Sequence, residues 1–352
     1  MTDRMMSEAD LLELAATALV GLGMRPGDAE DAARILVYAD MFGISTHGVE
    51  RILSYGERLR IGGIKAQPAI TVTPLTPSMI SVEGDNGLGP LVGMRALEAA
   101  MEAAATNGLA LALVKGSNHF GPICPYSYIA AKRGFATLIG SNATTTIAPW
   151  GGSEAKLGNN PFGFGLPNPG GDPIMLDMAM SVVARAKIRN AAKAEQPIPD
   201  SWATDRDGNP TTDPAEALNG FLQPVGGHKG YGLALAVDLI AGLLSGAAYL
   251  SHVKSWVDTP EEPQNLGHYF LLIDVGRLGS PDWLEARLRD FTTILHDTPP
   301  SDPNRPVLVP GEPEMQAFRR AGHHGIELSA ELVSALRKFG DETSNPQNQE
   351  RP

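Results

Sequence analysis

The chain has 352 residues, of which 43% are hydrophobic and 19% are charged, so it can bury a substantial core and is not disordered. Its net charge of -12 leaves no basic stripe to neutralise phosphates, which argues against a nucleic-acid partner. The single cysteine, Cys124, excludes an intrachain disulfide and indicates a reducing compartment.

Neither the N-terminus nor the longest apolar stretch fits a membrane-targeting role. The N-terminus, MTDRMMSEADLLEL, has acidic residues where a secretory signal needs a basic and then an apolar region. The longest apolar stretch, GYGLALAVDLIAGLLSGAAYL, carries Asp238 near its middle, which would cost roughly 2.5–3.5 kcal/mol in a bilayer. We therefore expect a cytoplasmic protein without a membrane partner, in which this stretch is a buried helix.

The two ends of the chain carry helical patterns. Ser7 starts a capping box ahead of leucines at helical spacing, and Pro26 opens a second helix with acidic residues in its first turn. Near the other end, EMQAFRRAGHHG and SAELVSALRKF predict helices, followed by a polar tail after Asp341 that we expect to fray. We predict that residues 1–70 and 312–352 form one helical domain.

Between these ends, residues 71–311 alternate strand and helix patterns. Short strands are predicted for AITVTPL, SMISVEGDNGLG, LALALVKGSNHFG, ATLIGSNATT, PIMLDMAMS and HYFLLIDV. The segment PLVGMRALEAAMEAAATNG predicts a helix that ends at Gly108. Residues 150–167 are rich in Gly, Asn and Pro and are predicted to form an ordered loop. The sequence therefore predicts an α/β (α+β) domain over residues 71–311.

Several enzyme classes lack their sequence signature. No G-x-G-x-x-G or G-x-G-x-x-A pattern occurs, so a Rossmann dinucleotide site has no fingerprint, and there is no Walker A sequence or G-x-S-x-G elbow. No H-E-x-x-H or paired C-x-x-C occurs, and in DRDGNP the required glycine of a calcium loop is replaced by Pro210. We expect no metal site, and the D-G pair predicts a hairpin turn.

Thr46, His47 and Arg51 place three reactive side chains where an apolar helical pattern ends, in the stretch THGVER. If this stretch is helical, His47 and Arg51 share a face at positions i and i+4. An imidazole exchanges a proton near neutral pH, and an arginine fork holds a carboxylate bidentately. Together they suit a small 2-oxo or 2-hydroxy acid. The alternative is that Arg51 lies along the surface and His47 caps a helix end.

Polar residues at other strand and helix ends are further candidates. His119, in GSNHFG, follows a buried strand, where it either serves a ligand or is an ordinary loop histidine. GGHKGYG offers free amides at a helix N-terminus beside Lys229, which suits a phosphate, although the glycines could equally serve close helix packing. Asp177 ends an apolar strand, and a buried carboxylate requires a partner such as an imidazole.

Seven motifs, in order between about residues 40 and 313, carry a resemblance to a known family. They are GISTHGVER, SNHFG, APWGGSEAKLGNNP, MLDMAMS, IPDSWATDRDGNPTTDP, GGHKGYGLALAVDLIAGLLSGA and VLVPGE. Together they resemble the type 2 malate/L-lactate dehydrogenase family, which includes ureidoglycolate, sulfolactate and diketogulonate dehydrogenases and the piperideine/pyrroline-2-carboxylate reductase. The resemblance is specific because all seven motifs agree in order.

The resemblance implies a non-Rossmann NAD(P)-binding fold with a largely antiparallel sheet, and a homodimer with the active site near the subunit interface. It implies that His47 is the proton donor, that Arg51 and His119 bind the substrate, and that Asp177 is a relay carboxylate. Thr46 stands where the family usually has a serine; it keeps the hydroxyl and adds a methyl group. The implied cofactor-binding residues are His119, Phe120, Gly121, Met178, Ala179, Met180, Ser181, His228, Lys229, Gly311, Glu312 and Pro313.

We therefore predict an NAD(P)-dependent oxidoreductase that transfers a hydride between nicotinamide and C2 of a small 2-oxo or 2-hydroxy carboxylate. In this hypothesis residues 71–311 form the NAD(P)-binding and catalytic domain. One alternative is a reductase of a cyclic imine carboxylate. A second is a ligand-binding or hydrolytic protein with a decayed cofactor site, against which the intact GGHKGYG and VLVPGE motifs speak. The sequence leaves the substrate and the choice between NAD and NADP open.

Overall fold

The computed structural model describes residues 3–341. Its α-helices are α1 (Glu8–Gly21), α2 (Pro26–Met41), α3 (Arg51–Ile61), α4 (Gly89–Asn107), α5 (Cys124–Lys132), α6 (Arg185–Lys193), α7 (Pro214–Asn219), α8 (His228–Asp238), α9 (Pro281–His296), α10 (Glu312–His324) and α11 (Ala330–Asp341). Its strands are β1 (Arg4–Met6), β2 (Thr71–Thr76), β3 (Met79–Glu83), β4 (Leu109–Ser117), β5 (Phe135–Ser141), β6 (Thr145–Ile147), β7 (Leu157–Gly158), β8 (Phe162–Leu166), β9 (Ile174–Met178), β10 (Leu266–Asp274) and β11 (Ile326–Leu328).

The central sheet has seven strands in the order β2-β3-β4-β10-β5-β8-β9. Every neighbouring pair is antiparallel except β3 and β4. Because β10 runs antiparallel to both β4 and β5, and β8 runs antiparallel to both β5 and β9, the strands β4, β5 and β9 all end at the same end of the sheet. We call this the upper end. The predicted mixed α/β fold with a largely antiparallel sheet is confirmed.

Helices cover both faces of this sheet. Ala110, Ala112 and Val114 of β4 belong to a core cluster with α4 and α5, whereas Leu111 and Leu113 pack toward α8 on the other face. Side chains of a strand alternate between faces, so two covered faces require apolar residues at nearly every position. This explains why the strands read as continuous apolar runs.

The two ends of the chain pack against each other. Strand β1 pairs with β11, and α1 contacts α11 within a core that α2 and α3 also share. The division into a helical domain and an α/β domain stays a prediction. The predicted fraying after Asp341 lies outside the described residues.

Strand β8 lies where the composition predicted a loop, so that part of the prediction is wrong. A Cβ atom on Gly163 would lie 2.3 Å from Ile123 Cγ2, and one on Gly165 would lie 2.8 Å from Ser127 Cβ. The glycines therefore let α5 pack directly on the strand, and are not signs of a turn.

The long apolar stretch forms α8 and continues as a π-helical turn, Leu239–Leu244. Its inner side, with Val237 and Ala241, packs on the sheet. Its outer side leaves Leu233, Leu243 and Leu244 exposed by 56%, 49% and 65%, so the helix is not buried all round as predicted. Within residues 3–341, no helix has the length and apolarity needed to cross a membrane.

Candidate active site

Residues 45–51 form a turn between two helices, so the predicted continuous helix through THGVER is wrong. A 3-10 turn covers Ser45–His47, Gly48 leaves the helical conformation with ψ of -154°, and α3 begins at Arg51. The Val49 N–H donates to the carboxylate of Asp40 at 2.8 Å rather than to a carbonyl one turn earlier. His47 and Arg51 are therefore neighbours across a turn and do not share a helical face.

Asp40, which the sequence analysis missed, stabilises this turn by accepting the Val49 N–H. A Cβ atom on Gly48 would lie 2.0 Å from the carboxylate oxygen Oδ1 of Asp40, so the turn needs a glycine at this contact. Burial raises the pKa of Asp40 to about 7, although the hydrogen bond from the Val49 N–H opposes this rise. Its only sequence signal was an acidic residue at the end of an apolar helix.

Thr46, His47 and Arg51 lie together, as the sequence predicted. Thr46 Oγ1 and His47 Nδ1 are 2.9 Å apart, and Arg51 Nε donates to the backbone carbonyl of Thr46 at 2.7 Å. The bond to Thr46 fixes Arg51 relative to the imidazole. Among the described residues no carboxylate pairs with Arg51, so its two terminal nitrogens are open to a carboxylate ligand.

The imidazole of His47 is held in its neutral form. Burial lowers its pKa to about 4, and the nearby positive charge of Arg51 lowers it further. An anion bound to Arg51 would cancel the second of these effects. Proton affinity at His47 is therefore linked to occupation of Arg51.

His119 reaches this turn from the end of β4. Its ring stacks on that of His47 with the centroids 5.4 Å apart, and its Nδ1 lies 2.8 Å from the hydroxyl oxygen of Tyr55. Burial lowers the pKa of His119 well below its usual value, and the positive charges of a protonated His47 and of Arg51 add to this effect. The site thus contains two stacked imidazoles that are both neutral at physiological pH.

Trp256, which is distant in sequence, packs against both Tyr55 and His119. The Trp256 ring lies 6.2 Å from that of His119 and 5.8 Å from that of Tyr55. The guanidinium of Arg58 lies over this indole, 4.6 Å from the ring centroid, and donates to the Glu262 carbonyl at 2.7 Å. Tyr55 could have been found because it lies four residues after Arg51 on α3; Trp256 has no local signal.

The loop after β4 is anchored in the core at Phe120. Its ring stacks on that of His268 with the centroids 4.2 Å apart. The two ring nitrogens of His268 lie 2.8 Å from the hydroxyl oxygens of Ser117 and Ser141, and burial lowers its pKa to about 3. This network joins β4, β10 and β5 at the upper end and holds the loop that carries His119.

Asp177 also lies at the upper end, in β9. Its carboxylate accepts the backbone N–H groups of Ile123 and Cys124 at 2.7 and 2.9 Å, which begin α5. Burial raises its pKa to about 6 despite these two hydrogen bonds. Neither Thr46 nor His47 is among its hydrogen-bond partners in the described residues, so its relay role stays a prediction.

Two of the predicted cofactor segments lie side by side. Met180 accepts the backbone N–H of Val225 at 2.9 Å, and Val225 leads into the glycine turn before α8. The start of α8 has no side-chain cap; Gly227 precedes it with a φ of +65°. Lys229 is exposed and has no anionic partner in the described part of the chain. Open helix amides beside a free ammonium fit the phosphates of a dinucleotide.

The other predicted cofactor residues are His228, next to Lys229, and residues 311–313 at the start of α10. Residues 311–313 begin α10, where a Cβ on Gly311 would lie 2.8 Å from the backbone nitrogen of Met175 in β9. The carboxylate of Glu312 accepts the Val309 N–H at 3.0 Å and lies 2.8 Å from His296. His228 lies beside Trp150 with ring centroids 6.0 Å apart. Cofactor contacts at these residues stay predictions.

No group of three His, Cys, Asp or Glu side chains in residues 3–341 is arranged to hold a metal ion. The DRDGNP segment forms the predicted hairpin turn, in which Asp205 and Asn209 pair through the backbone at 2.8 Å.

Comparison with known proteins assigns this arrangement to a family. The family model for malate/L-lactate dehydrogenase matches residues 6–337. The chain belongs to this family. It is 34% identical to the (2R)-3-sulfolactate dehydrogenase (NADP(+)) of Chromohalobacter salexigens, over 96% of this chain and 98% of the relative. It is 31% identical to the ureidoglycolate dehydrogenase (NAD(+)) of Escherichia coli, over 97% and 98%.

A solved structure of the family is also similar. The delta1-piperideine-2-carboxylate reductase of Pseudomonas syringae pvar. tomato superposes with a TM-score of 0.86 and 27% identity, covering 96% of this chain and 99% of the reductase. As a member of the malate/L-lactate dehydrogenase family, the chain is an oxidoreductase. The family and the enzyme class predicted from the sequence are confirmed.

Proposed function

We propose that this chain is an NAD(P)-dependent oxidoreductase that interconverts 2-hydroxy and 2-oxo carboxylates. The observation that carries the proposal is the pair formed by His47 and Arg51: a neutral imidazole next to a guanidinium whose terminal nitrogens have no carboxylate partner among the described residues. Support for the cofactor comes from the names of the two relatives, one with NAD(+) and one with NADP(+).

In this proposal Arg51 binds the substrate carboxylate through its two terminal nitrogens, which turns the neighbouring C2 oxygen toward His47. During oxidation, Nε2 of His47 accepts the proton of the substrate hydroxyl, and Nδ1 donates to the hydroxyl oxygen of Thr46. During reduction the same imidazole returns the proton to the oxygen. Asp177 acts as the relay carboxylate in this proposal. When bound, the dinucleotide supplies or accepts a hydride at nicotinamide C4.

The proposed cofactor site uses the start of α8 for the phosphates. The ammonium of Lys229 and the uncapped amides of the helix would hold the phosphate oxygens, beside His228. Residues 178–181, next to this turn, would line the dinucleotide, together with residues 119–121 and 311–313. No Rossmann fingerprint is needed for such a site.

A second candidate reaction is the reduction of a cyclic imine carboxylate to a cyclic amino acid. It is supported by the structural similarity to delta1-piperideine-2-carboxylate reductase. Arg51 would bind the same carboxylate, and a proton held at His47 would go to nitrogen instead of oxygen. The two reactions differ only in the atom bonded to C2.

One experiment tests the proposal and separates the two reactions. NADH and NADPH are titrated into the protein and followed by fluorescence, and a panel of 2-oxo acids and cyclic imine carboxylates is then assayed with each cofactor. We expect one reduced cofactor to bind and at least one carboxylate to be reduced. Failure of both cofactors to bind would contradict the proposal and leave a ligand-binding protein with a decayed site.

We further infer a cytoplasmic homodimer, whose subunits each consist of a helical domain (residues 1–70 and 312–352) and a catalytic domain (residues 71–311). Support for the dimer comes from Leu233, Leu243 and Leu244, which form an exposed apolar strip on α8 and its π-helical turn.

The dimer is tested by sedimentation of the wild type and of Leu243→Glu. If a second copy covers the strip, the charge should reduce the sedimenting mass by half at micromolar concentration. Leu109→Glu, at a similarly exposed leucine in β4, is the control and should sediment like the wild type. A monomeric wild type would contradict the inference.

A further inference from the structure

Two stacked imidazoles, His47 and His119, lie next to Arg51, and the proposed function assigns proton exchange to only one of them. The inference below rests on that proposed function. The hydrogen bond between Tyr55 and His119 distinguishes the two rings.

The hydroxyl of Tyr55 is fully buried, at 0% exposure of the residue, and therefore needs an acceptor for its proton. Among the described residues, its one hydrogen-bond partner is Nδ1 of His119, at 2.8 Å. A phenol can donate to this nitrogen only if Nδ1 carries no proton. A neutral imidazole with a bare Nδ1 has its single proton on Nε2.

The other nitrogen of His119 is open to a ligand. The residue is only partly buried, and Nε2 is not among the buried side-chain atoms that lack a hydrogen-bond partner. Since no described residue forms a hydrogen bond with Nε2 either, this nitrogen is accessible to solvent. The Nε2–H group is available to donate, in the plane of its ring, to a substrate oxygen at the edge of the two rings.

We propose that Tyr55 is a positioning residue that fixes His119 as the neutral Nε2–H tautomer, so that His119 donates a hydrogen bond to the substrate oxygen and does not exchange its proton. To act as a base, His119 would need a lone pair on Nε2. That tautomer places a proton on Nδ1 and leaves the buried Tyr55 hydroxyl without an acceptor.

His47 is not restricted in this way. Its Nδ1 partner is the hydroxyl of Thr46, an exposed residue whose hydroxyl can donate or accept. When Thr46 accepts from Nδ1–H, Nε2 of His47 carries the lone pair that takes a proton from a substrate hydroxyl. When His47 is protonated, both nitrogens donate. His47 therefore exchanges the proton, and His119 donates a hydrogen bond to the substrate oxygen that loses or gains it.

The aromatic packing around Tyr55 keeps the hydroxyl in place. Trp256 lies edge-on to the phenol ring, with centroids 5.8 Å apart, and Arg58 lies over the indole. Because the phenol ring packs against the rings of both Trp256 and His119, loss of the hydroxyl alone should leave its position unchanged. Tyr55→Phe is therefore a conservative test.

The first test compares His119→Gln with His47→Gln. Glutamine keeps an N–H donor but exchanges no proton near neutral pH, so His119→Gln should lower kcat/KM by no more than roughly tenfold, whereas His47→Gln should lower it by roughly 10²–10⁴. A loss in His119→Gln as large as that in His47→Gln would overturn the inference. Turnover unchanged in both variants would overturn the proposed function as well.

The second test observes the tautomer directly by NMR of ¹⁵N-histidine-labelled protein, with the His119 signals assigned by their absence in His119→Gln. We expect a protonated Nε2 and a bare Nδ1 in the wild type, and a mixture of tautomers in Tyr55→Phe. Tyr126→Phe removes another buried phenol, which donates to the Phe120 carbonyl at 2.6 Å, and should leave the His119 pattern unchanged. A proton on Nδ1 in the wild type, or an unchanged pattern in Tyr55→Phe, would overturn the inference.

Discussion

The turn at residues 45–51 and the glycine turn at residues 225–229 both present a cation to the proposed ligands, but they differ in their access to water. Around the first turn, burial lowers the pKa values of both His47 and His119. At the second, Lys229 is exposed and has no partner among the described residues.

This difference matches the two tasks. A proton-exchanging group is tuned by burial and by nearby charges, so a ligand that cancels the charge of Arg51 also changes the proton affinity of His47. A phosphate contact needs only a positive charge that reaches the anion, and a solvated ammonium provides it with little structural cost. We therefore expect changes at the first turn to affect the chemical step strongly, and changes at the second to affect mainly cofactor affinity.

The largest effect is expected for Arg51→Met. Removing one partner of a buried charge pair costs about 2–5 kcal/mol, so kcat/KM for a 2-oxo acid should fall by roughly 30- to 5,000-fold. Arg51→Lys should recover only part of this, because an ammonium cannot form the planar fork. The assay uses the 2-oxo acid that the wild type reduces with the highest kcat/KM, together with the amide of that acid.

The amide provides the control. It should already be a poor substrate for the wild type, and Arg51→Met should hardly worsen it. If the variant loses as much with the amide as with the acid, Arg51 supports the fold of the turn and the carboxylate binds elsewhere.

A stability effect is expected for Asp40→Asn. The pKa of Asp40 is raised to about 7 in the folded state from 3.8. Its contribution to stability is therefore fully present below pH 3.8 and is lost as the pH rises from there through 7. An asparagine at this position can still accept the Val49 N–H, and because its side chain does not titrate its contribution to stability does not fall as the pH rises. The stability of the variant relative to wild type should rise by roughly 2–4 kcal/mol between pH 4.5 and pH 8, measured by urea unfolding.

Glu57→Gln, which removes an exposed carboxylate on α3, is the matched control for the loss of one carboxylate. A parallel pH dependence of Asp40→Asn and wild type would mean that Asp40 is ionised in the folded protein throughout this range.

The smallest effect is expected for Lys229→Met. Loss of one solvated phosphate contact should raise the Kd of the dinucleotide by roughly tenfold, with kcat nearly unchanged. Lys132→Met, at an exposed lysine at the C-terminal end of α5, is the control and should leave the Kd unchanged. An unchanged Kd for the dinucleotide would restrict the glycine turn to a packing role.

The sequence predicted the components of the first turn better than their arrangement. Local spacing placed His47 next to Arg51, but the helix was wrong because the Asp40 carboxylate takes the Val49 N–H. That contact joins residues nine positions apart across a bend, and no periodic pattern encodes it. Trp256 reaches His119 from about 140 residues away, so its contribution depends on the folded chain.

The strands were predicted well where apolar residues fill both faces of the sheet, as in β4, β5 and β10. Strand β8 was missed because its glycines serve close packing against α5. The leucines of α8 and its π-helical turn were predicted to be buried because they are apolar. Leu233, Leu243 and Leu244 are instead exposed in the single chain.

The most direct test of the account follows deuterium from the cofactor to the product. NAD(P)H labelled at C4, in either stereochemical form, is incubated with the protein and the best 2-oxo acid of the panel, and the product is analysed by mass spectrometry and NMR. The account predicts that one of the two labelled forms places deuterium on C2 of a 2-hydroxy acid, and that Arg51→Met slows this transfer. Cofactor binding without label at C2 from either form, across all acids and imines of the panel, would contradict it.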